Sequence, residues 1–262
     1  CTGAGRCASP FPSAYLPRAS TFEELTLERD WFVDRGRPAT LADTLDNSSY
    51  ALDYARSVID CSLRVGAEPY MNIDLMPRAL AANRTFRAPN PYGNPAPGTD
   101  DCYTFANGVS NSAPADPAVF AAAVEGVVKR IVEGVGKEAG RPVRYWELWN
   151  EPDLDYAWDR SGPDPMGSFF RMATATLTRL AEYRRSGALP RVRALRFGLG
   201  SFANAEAAVK TLQAMDAAGG RVPMDFLSFH GYSDDPLAIV DAVRKVAAAR
   251  AMSRHYRHVE LA

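Results

Sequence analysis

Apolar residues along this chain recur with two alternating periods. Short strand-like runs are separated by longer stretches at helical spacing. Tyr50, Tyr54, Val58, Cys61 and Val65 follow a helical stripe, with Ser49 placed to cap it and Gly66 to end it. Pro69–Pro77 then reads as a strand closed by proline. Phe120, Val124, Val127, Val128, Ile131 and Val135 form a second stripe. Asp116 caps that helix with Pro117 in its first position, and Gly136 and Gly140 close it. The apolar-aromatic run from Tyr145 is the next strand. The pattern then repeats: a helix over 166–185, a strand over Arg193–Leu199, and a helix capped by Asn204 with Val209, Leu212 and Met215 on its apolar face. A strand over Met224–Phe229 follows. Pro236 opens a last helix with Leu237, Val240, Val243 and Val246, and His258–Ala262 begins one more strand.

Two regions break the pattern. Residues 1–48 are interrupted by Pro10, Pro12 and Pro17 and read as an irregular N-terminal segment, with Trp31–Val33 as a short strand. Residues 83–116 form a long polar loop rich in Asn, Pro and Gly, a length that in a compact domain usually signals function or mobility.

Strands alternating with helices of 12–20 residues imply βαβ units and parallel strands, an α/β fold. Asp74, Met76, Asn150, Glu151, Ser201, His230 and Tyr232 all fall just after strand-like runs. Function at the C-terminal ends of parallel strands is the rule for a (β/α)₈ barrel. A doubly wound nucleotide-binding sheet would carry a glycine-rich loop after a strand. Gly198-Leu-Gly200 is the nearest match, and it is incomplete.

Composition narrows the function class. The 262 residues are 47% hydrophobic and 23% charged, as in an ordinary globular protein. A formal net charge of −1 gives no electrostatic case for nucleic acid or an anionic membrane. No apolar stretch reaches the length of a membrane-spanning helix. Cys1, Cys7, Cys61 and Cys102 are too few for a disulfide scaffold and fit no zinc spacing, although Cys1 and Cys7 lie close enough to bridge. With the sequons at Asn47 and Asn83 they suggest a secreted, periplasmic or cell-surface protein. Cys1 also suits a lipoprotein anchor. The chain lacks an initiating Met and reads as a mature form or part of a longer chain.

The chemistry concentrates in Tyr145-Trp-Glu-Leu-Trp-Asn-Glu-Pro-Asp153. The strand ends on Asn150-Glu151-Pro152, which puts a carboxyl at its mouth beside an amide. Glu151, flanked by Trp149 and Pro152, suits a general acid held protonated by a partly apolar site. Asn150 can donate to and accept from a sugar hydroxyl. Trp158 could stack on a sugar ring or simply pack within its loop. Glu147 shares strand parity with Glu151 and reads as a hydrogen-bonded interior group.

These residues resemble the clan of (β/α)₈ retaining glycoside hydrolases that carry Trp-Asn-Glu-Pro at the end of the fourth barrel strand. Within it the chain is most similar to the β-xylosidase and α-L-iduronidase family, glycoside hydrolase family 39. Glu68–Leu80 resembles that family's third strand and its Met-Pro turn, and Asp225–Tyr232 its sixth strand with the site histidine. The resemblance covers residues 49–262 and implies a partial (β/α)₈ catalytic domain holding about strand three to early strand seven. The first strand is not recognisable, and the second is either absent or lost within residues 1–48.

The resemblance further implies Glu151 as acid/base, with Asn150, His230, Tyr232 and Trp158 contacting a glycoside or oligosaccharide, and no cofactor or metal. It puts the nucleophilic glutamate a few residues beyond Ala262, with Glu260 the alternative inside the chain. The expected activity is β-xylosidase-like hydrolysis with retention, and the 262-residue chain alone is expected to turn over little or nothing. A non-catalytic carbohydrate-binding barrel and an endo-glycanase of the same clan are the competing readings.

Overall fold

The computed structural model describes residues 22–26 (backbone only), 31–64, 66–74, 76–84, 111–134, 143–155, 157–159, 162–187, 189–220 and 222–262. Cys1, Cys7, Cys102, the prolines before residue 21, Val65, Thr85 of the second sequon, most of the long polar loop, Val135, Gly136 and Gly140 lie outside them.

Among the described residues, six parallel strands form one sheet in sequential order. They are β1 (Phe22–Thr26), β2 (Glu68–Ile73), β3 (Tyr145–Leu148), β4 (Arg196–Phe202), β5 (Phe226–Phe229) and β6 (Glu260–Leu261). Helices α1 (Asp53–Arg64), α2 (Pro117–Glu133), α3 (Pro165–Ser186), the single turn α4 (Pro190–Arg193), α5 (Ala205–Ala217) and α6 (Pro236–Met252) fill the connections. Among the described residues the order never reverses, so these strands show no switch point of a doubly wound fold. Strand β1 lies within the segment read as irregular, and it pairs with β2 from Phe22 opposite Glu68 to Thr26 opposite Asn72.

Local chemistry explains the helix starts. Asp116, Asp164 and Asp235 each cap a helix whose first residue is proline, and Asn204 caps α5 by accepting from the amide of Ala207. The expected cap at Ser49 is not one. Ser49 ends a 3₁₀ turn begun at Asn47 and is itself buried, and α1 starts at Asp53. Tyr50 therefore leaves the α1 stripe. Its ring meets Phe32 edge-on at 5.2 Å, and the Arg130 guanidinium lies 3.8 Å from its centroid. Trp31–Val33 is no strand; Phe32 makes only an isolated bridge to Tyr50.

The two faces of the sheet differ in character. Met71, Ile73, Trp146, Leu148, Phe197, Leu199 and Leu227 join the apolar core with the helices. The alternate residues Tyr70, Asn72, Tyr145, Glu147, Phe226 and Ser228 occupy the other face. The rings of Tyr70, Tyr145 and Phe226 meet there, with centroids 5.5–6.3 Å apart. Gly198 is a spacing requirement of this layer, since a Cβ at that position would collide with the Phe226 ring. Gly198-Leu-Gly200 thus lies inside β4 and is not a phosphate loop.

On α6 the expected stripe is only partly covered. Val246 is buried, while Leu237, Val240 and Val243 are exposed among the described residues.

Candidate active site

The two ends of the sheet are chemically distinct. At the N-terminal ends, ion pairs tie β2 to the start of β3, helix α3 to the start of β5, and β4 to β6 across β5. Arg144 grips both oxygens of Glu68, Arg184 reaches Asp225 at 2.5 Å, and Arg196 pairs with Glu260. At the C-terminal ends, the residues with unusual backbone geometry gather.

Trp149, Glu151 and Ser201 have φ of 73°, 48° and 43°, a region that side chains other than glycine rarely adopt. Each such residue costs about 1–3 kcal/mol and persists only where its surroundings enforce it. Here the enforcement is visible. The Trp149 amide donates to the Ile73 carbonyl at 3.0 Å, and its indole N–H donates to the Ala157 carbonyl at 2.9 Å. The Glu151 amide donates to the Ser201 carbonyl at 2.9 Å, and the Leu154 amide closes a turn back onto the Glu151 carbonyl. Asp153 accepts from the Ala203 amide at 3.0 Å, tying the same turn to the end of β4.

Strand β4 itself is irregular at this point. Its register with β5 shifts between Leu199 and Phe202, so Gly200 and Ser201 form a bulge. Gly200 has φ of 145°, and a Cβ there would lie 2.6 Å from the Ser228 carbonyl oxygen. Beyond the bulge, the Phe202 carbonyl accepts from the His230 amide at 2.7 Å. The bulge therefore holds two backbones at once, Glu151 on one side and His230 on the other.

Their side chains meet. Nδ1 of His230 lies 2.7 Å from Oε1 of Glu151, and both side chains are mostly shielded, at 22% and 12% exposure. One proton lies between the two atoms. It can sit on the carboxyl, with the imidazole protonated at Nε2, or on Nδ1 facing a carboxylate. Such a pair can deliver a proton to a leaving oxygen and take one back from water. The Tyr232 hydroxyl lies 3.3 Å from Nδ1, while its ring is largely in solvent. Asn150 sits half-buried between Trp149 and Glu151.

Trp158, expected near the sugar, and Glu260, the alternative nucleophile, both lie elsewhere. Trp158 is fully buried, with edge-on contacts to Trp149 at 4.9 Å and Phe169 at 5.2 Å. Its indole N–H donates to the Pro165 carbonyl at 3.0 Å. No ring face is open for a sugar, so Trp158 packs beneath the turn that carries Glu151. Glu260 is kept away from Glu151. Its carboxylate pairs with Arg196 at the start of β4, whereas Glu151 is bonded to Ser201 near the end of that strand. Five residues of strand separate those points, about 16 Å at 3.3 Å per residue.

Beneath Glu151, Glu147 is completely buried. Its Oε1 accepts from the Tyr70 hydroxyl at 2.9 Å and from the Ser228 hydroxyl; its Oε2 accepts from the Asn72 amide at 3.0 Å and from the Ser201 hydroxyl. Sequence reasoning named Glu147 but not these partners. The period-2 alternation could have found them, because Tyr70, Asn72 and Ser228 all share the face of Glu147. Among the described residues, no group of three or more His, Cys, Asp or Glu could hold a metal ion. Nor is any helix among them long and apolar enough to cross a membrane.

No family model matches the chain, and no curated protein matches it. Solved structures do resemble it. A GH39 enzyme from Xanthomonas axonopodis pv. citri superposes with a TM-score of 0.54 at 21% identity, over 82% of this chain and 40% of that one. A glucosidase from Croceicoccus marinus gives 0.61 at 20%, over 92% and 43%. A monomeric beta-xylosidase from Caulobacter crescentus CB15 gives 0.58 at 17%, over 92% and 54%. At these identities the likeness is one of fold, and the chain spans between 40% and 54% of the length of these three.

Proposed function

We propose that this chain carries the acid/base half of a retaining glycoside hydrolase, with Glu151 as the acid/base and a β-xyloside as the first substrate to try. The observation that carries the proposal is the shielded Glu151–His230 pair at the C-terminal ends of β3 and β5. A carboxyl in that setting can protonate the leaving oxygen and then deprotonate water. The sequential parallel sheet agrees with an arc of a (β/α)₈ barrel, whose chemistry lies at that end. The glycosidases of similar fold supply the substrate class.

In this reading Asn150 bonds the sugar hydroxyl next to the anomeric centre, and His230 and Tyr232 line the same subsite. The second carboxylate comes from a residue other than Glu260, whose side chain is committed to Arg196. An exported location is part of the proposal. It is supported by Cys61, which is disulfide-bonded, because disulfides persist in oxidising compartments.

The test is Glu151→Gln in the full enzyme. Hydrolysis of an alkyl xyloside should fall by about 10²–10⁴-fold, while an aryl xyloside with an acidic leaving group should be much less affected at the glycosylation step. Equal loss on both substrates would sink the acid/base role. Labelling with a 2-fluoro xyloside and mapping the modified peptide would identify the nucleophile. Sugar binding without any turnover by the full protein would favour a non-catalytic binding barrel instead.

A further inference from the structure

We propose that Glu147 is a positioning residue, whose buried carboxylate fixes the β4 bulge and through it the geometry of the Glu151–His230 pair. Its relevance to catalysis rests on the reading of Glu151 as acid/base; the coupling itself does not.

A carboxylate with no solvent exposure is costly unless its lone pairs are filled. Glu147 fills them from three strands. Tyr70 and Asn72 come from β2, Ser201 from β4 and Ser228 from β5. The direction of the bonds is fixed. The Ser228 hydroxyl oxygen accepts from the Ser201 amide at 2.6 Å, so its own proton points to Glu147. Ser201 is therefore held twice, by its amide through Ser228 and by its hydroxyl directly, and both paths end on the same carboxylate.

That double hold falls on the residue whose backbone is strained. Ser201 has φ of 43°, and the bulge it forms with Gly200 determines where two carbonyls point. The Ser201 carbonyl accepts from the Glu151 amide, and the next carbonyl, of Phe202, accepts from the His230 amide. An apolar residue in place of Glu147 could fill the volume, and such replacements are often neutral for stability. It could not hold a left-handed serine. The carboxylate thus stands two hydrogen bonds from the Glu151 backbone without touching a substrate.

Glu147→Gln keeps the shape but turns one oxygen into a donor facing hydroxyl protons. In the Oε1 place the amide nitrogen faces the Tyr70 and Ser228 hydroxyls, and Ser228 cannot relieve this by rotating because its oxygen already serves the Ser201 amide. In the Oε2 place it faces the Asn72 amide and the Ser201 hydroxyl, and the bond that holds Ser201 directly is lost. The measurement is native-state amide exchange by NMR on the 262-residue chain, with the His230 Nδ1 resonance read alongside. Protection of the Glu151 and His230 amides should fall by about tenfold or more, while core amides such as Val127 and Leu180 change by less than about threefold. The Nδ1 resonance should move from its wild-type position. Should Glu147→Gln not fold, Ser228→Ala leaves the carboxylate in place and should give the same selective pattern. Uniform loss of protection across the core, or unchanged exchange at Glu151 and His230, would overturn the proposal. Failure of the acid/base reading would look different: normal protection in the wild-type chain, with no glycoside cleaved by the full enzyme.

Discussion

His230 Nδ1 and Glu151 Oε1 lie 2.7 Å apart although the two residues are 79 positions apart in the chain. Neither strand alone could bring them together. Glu151 follows β3 and His230 follows β5, and the intervening β4 holds both backbones through consecutive carbonyls.

Removing the imidazole should therefore affect chemistry more than folding. His230→Phe keeps a ring in place but loses the bond to Glu151. Hydrogen bonds to charged groups contribute about 1.5–3 kcal/mol. On the acid/base role proposed for Glu151, the expectation is about a 10- to 100-fold fall in kcat/KM of the full protein on a xyloside, with a melting temperature close to wild type. Tyr232→Phe should be far milder, because that hydroxyl is exposed and 3.3 Å from the ring nitrogen.

Trp158→Ala should behave as a core mutation. The side chain is fully buried against Trp149 and Phe169, and truncating a buried aromatic costs about 3–5 kcal/mol. Urea denaturation should show that loss. A weakened KM with unchanged stability would instead restore Trp158 as a sugar platform.

Gly198→Ala should destabilise by about 1–3 kcal/mol, the usual penalty for overpacking. The added methyl would strike the Phe226 ring on the strand alongside. Phe226→Leu in the same chain should recover part of the loss. Additive losses in a double-mutant cycle would show that the two positions do not share that space.

Acid should attack the segment around Asp43 early. Arg37 grips both oxygens of Asp43, and the Thr40 amide and hydroxyl add to it, holding this carboxyl well below the usual carboxylate range. Asp46, paired with Arg35 and bonded to Ser48, is lowered from 3.8 to about 2. A lowered folded value stabilises the protein above the unfolded value, and the contribution is lost as pH falls through the folded one. Asp46 is partly exposed and contributes less than Asp43. Stability should drop from about pH 4 downward and continue falling below pH 2. Asp43→Asn should cost about 1–3 kcal/mol at neutral pH and flatten that acid limb. A limb of unchanged steepness in the variant, followed by circular dichroism, would disprove the assignment.

The sequence by itself determined the alternation of strands and helices, because hydrophobic periodicity and proline-linked caps act within a few residues. Asp116 with Pro117, Asn204 before Ala205 and Pro236 after Asp235 set helix starts that need no distant partner. It also marked Glu151 and His230, because each directly follows an apolar strand. What it could not determine depended on contacts across strands. β1 lacks a periodicity strong enough to stand out and is recognised only by its pairing with β2. Ser49 has the chemistry of a helix cap, but burial and the turn from Asn47 decided otherwise. Trp158 and Glu260 have residue types suited to a sugar site. Their positions were decided by a buried aromatic cluster and by an arginine two strands away, on β4. The bulge at Gly200–Ser201, which joins Glu151 to His230, exists only in the register between β4 and β5, a relation between strands that no local pattern encodes.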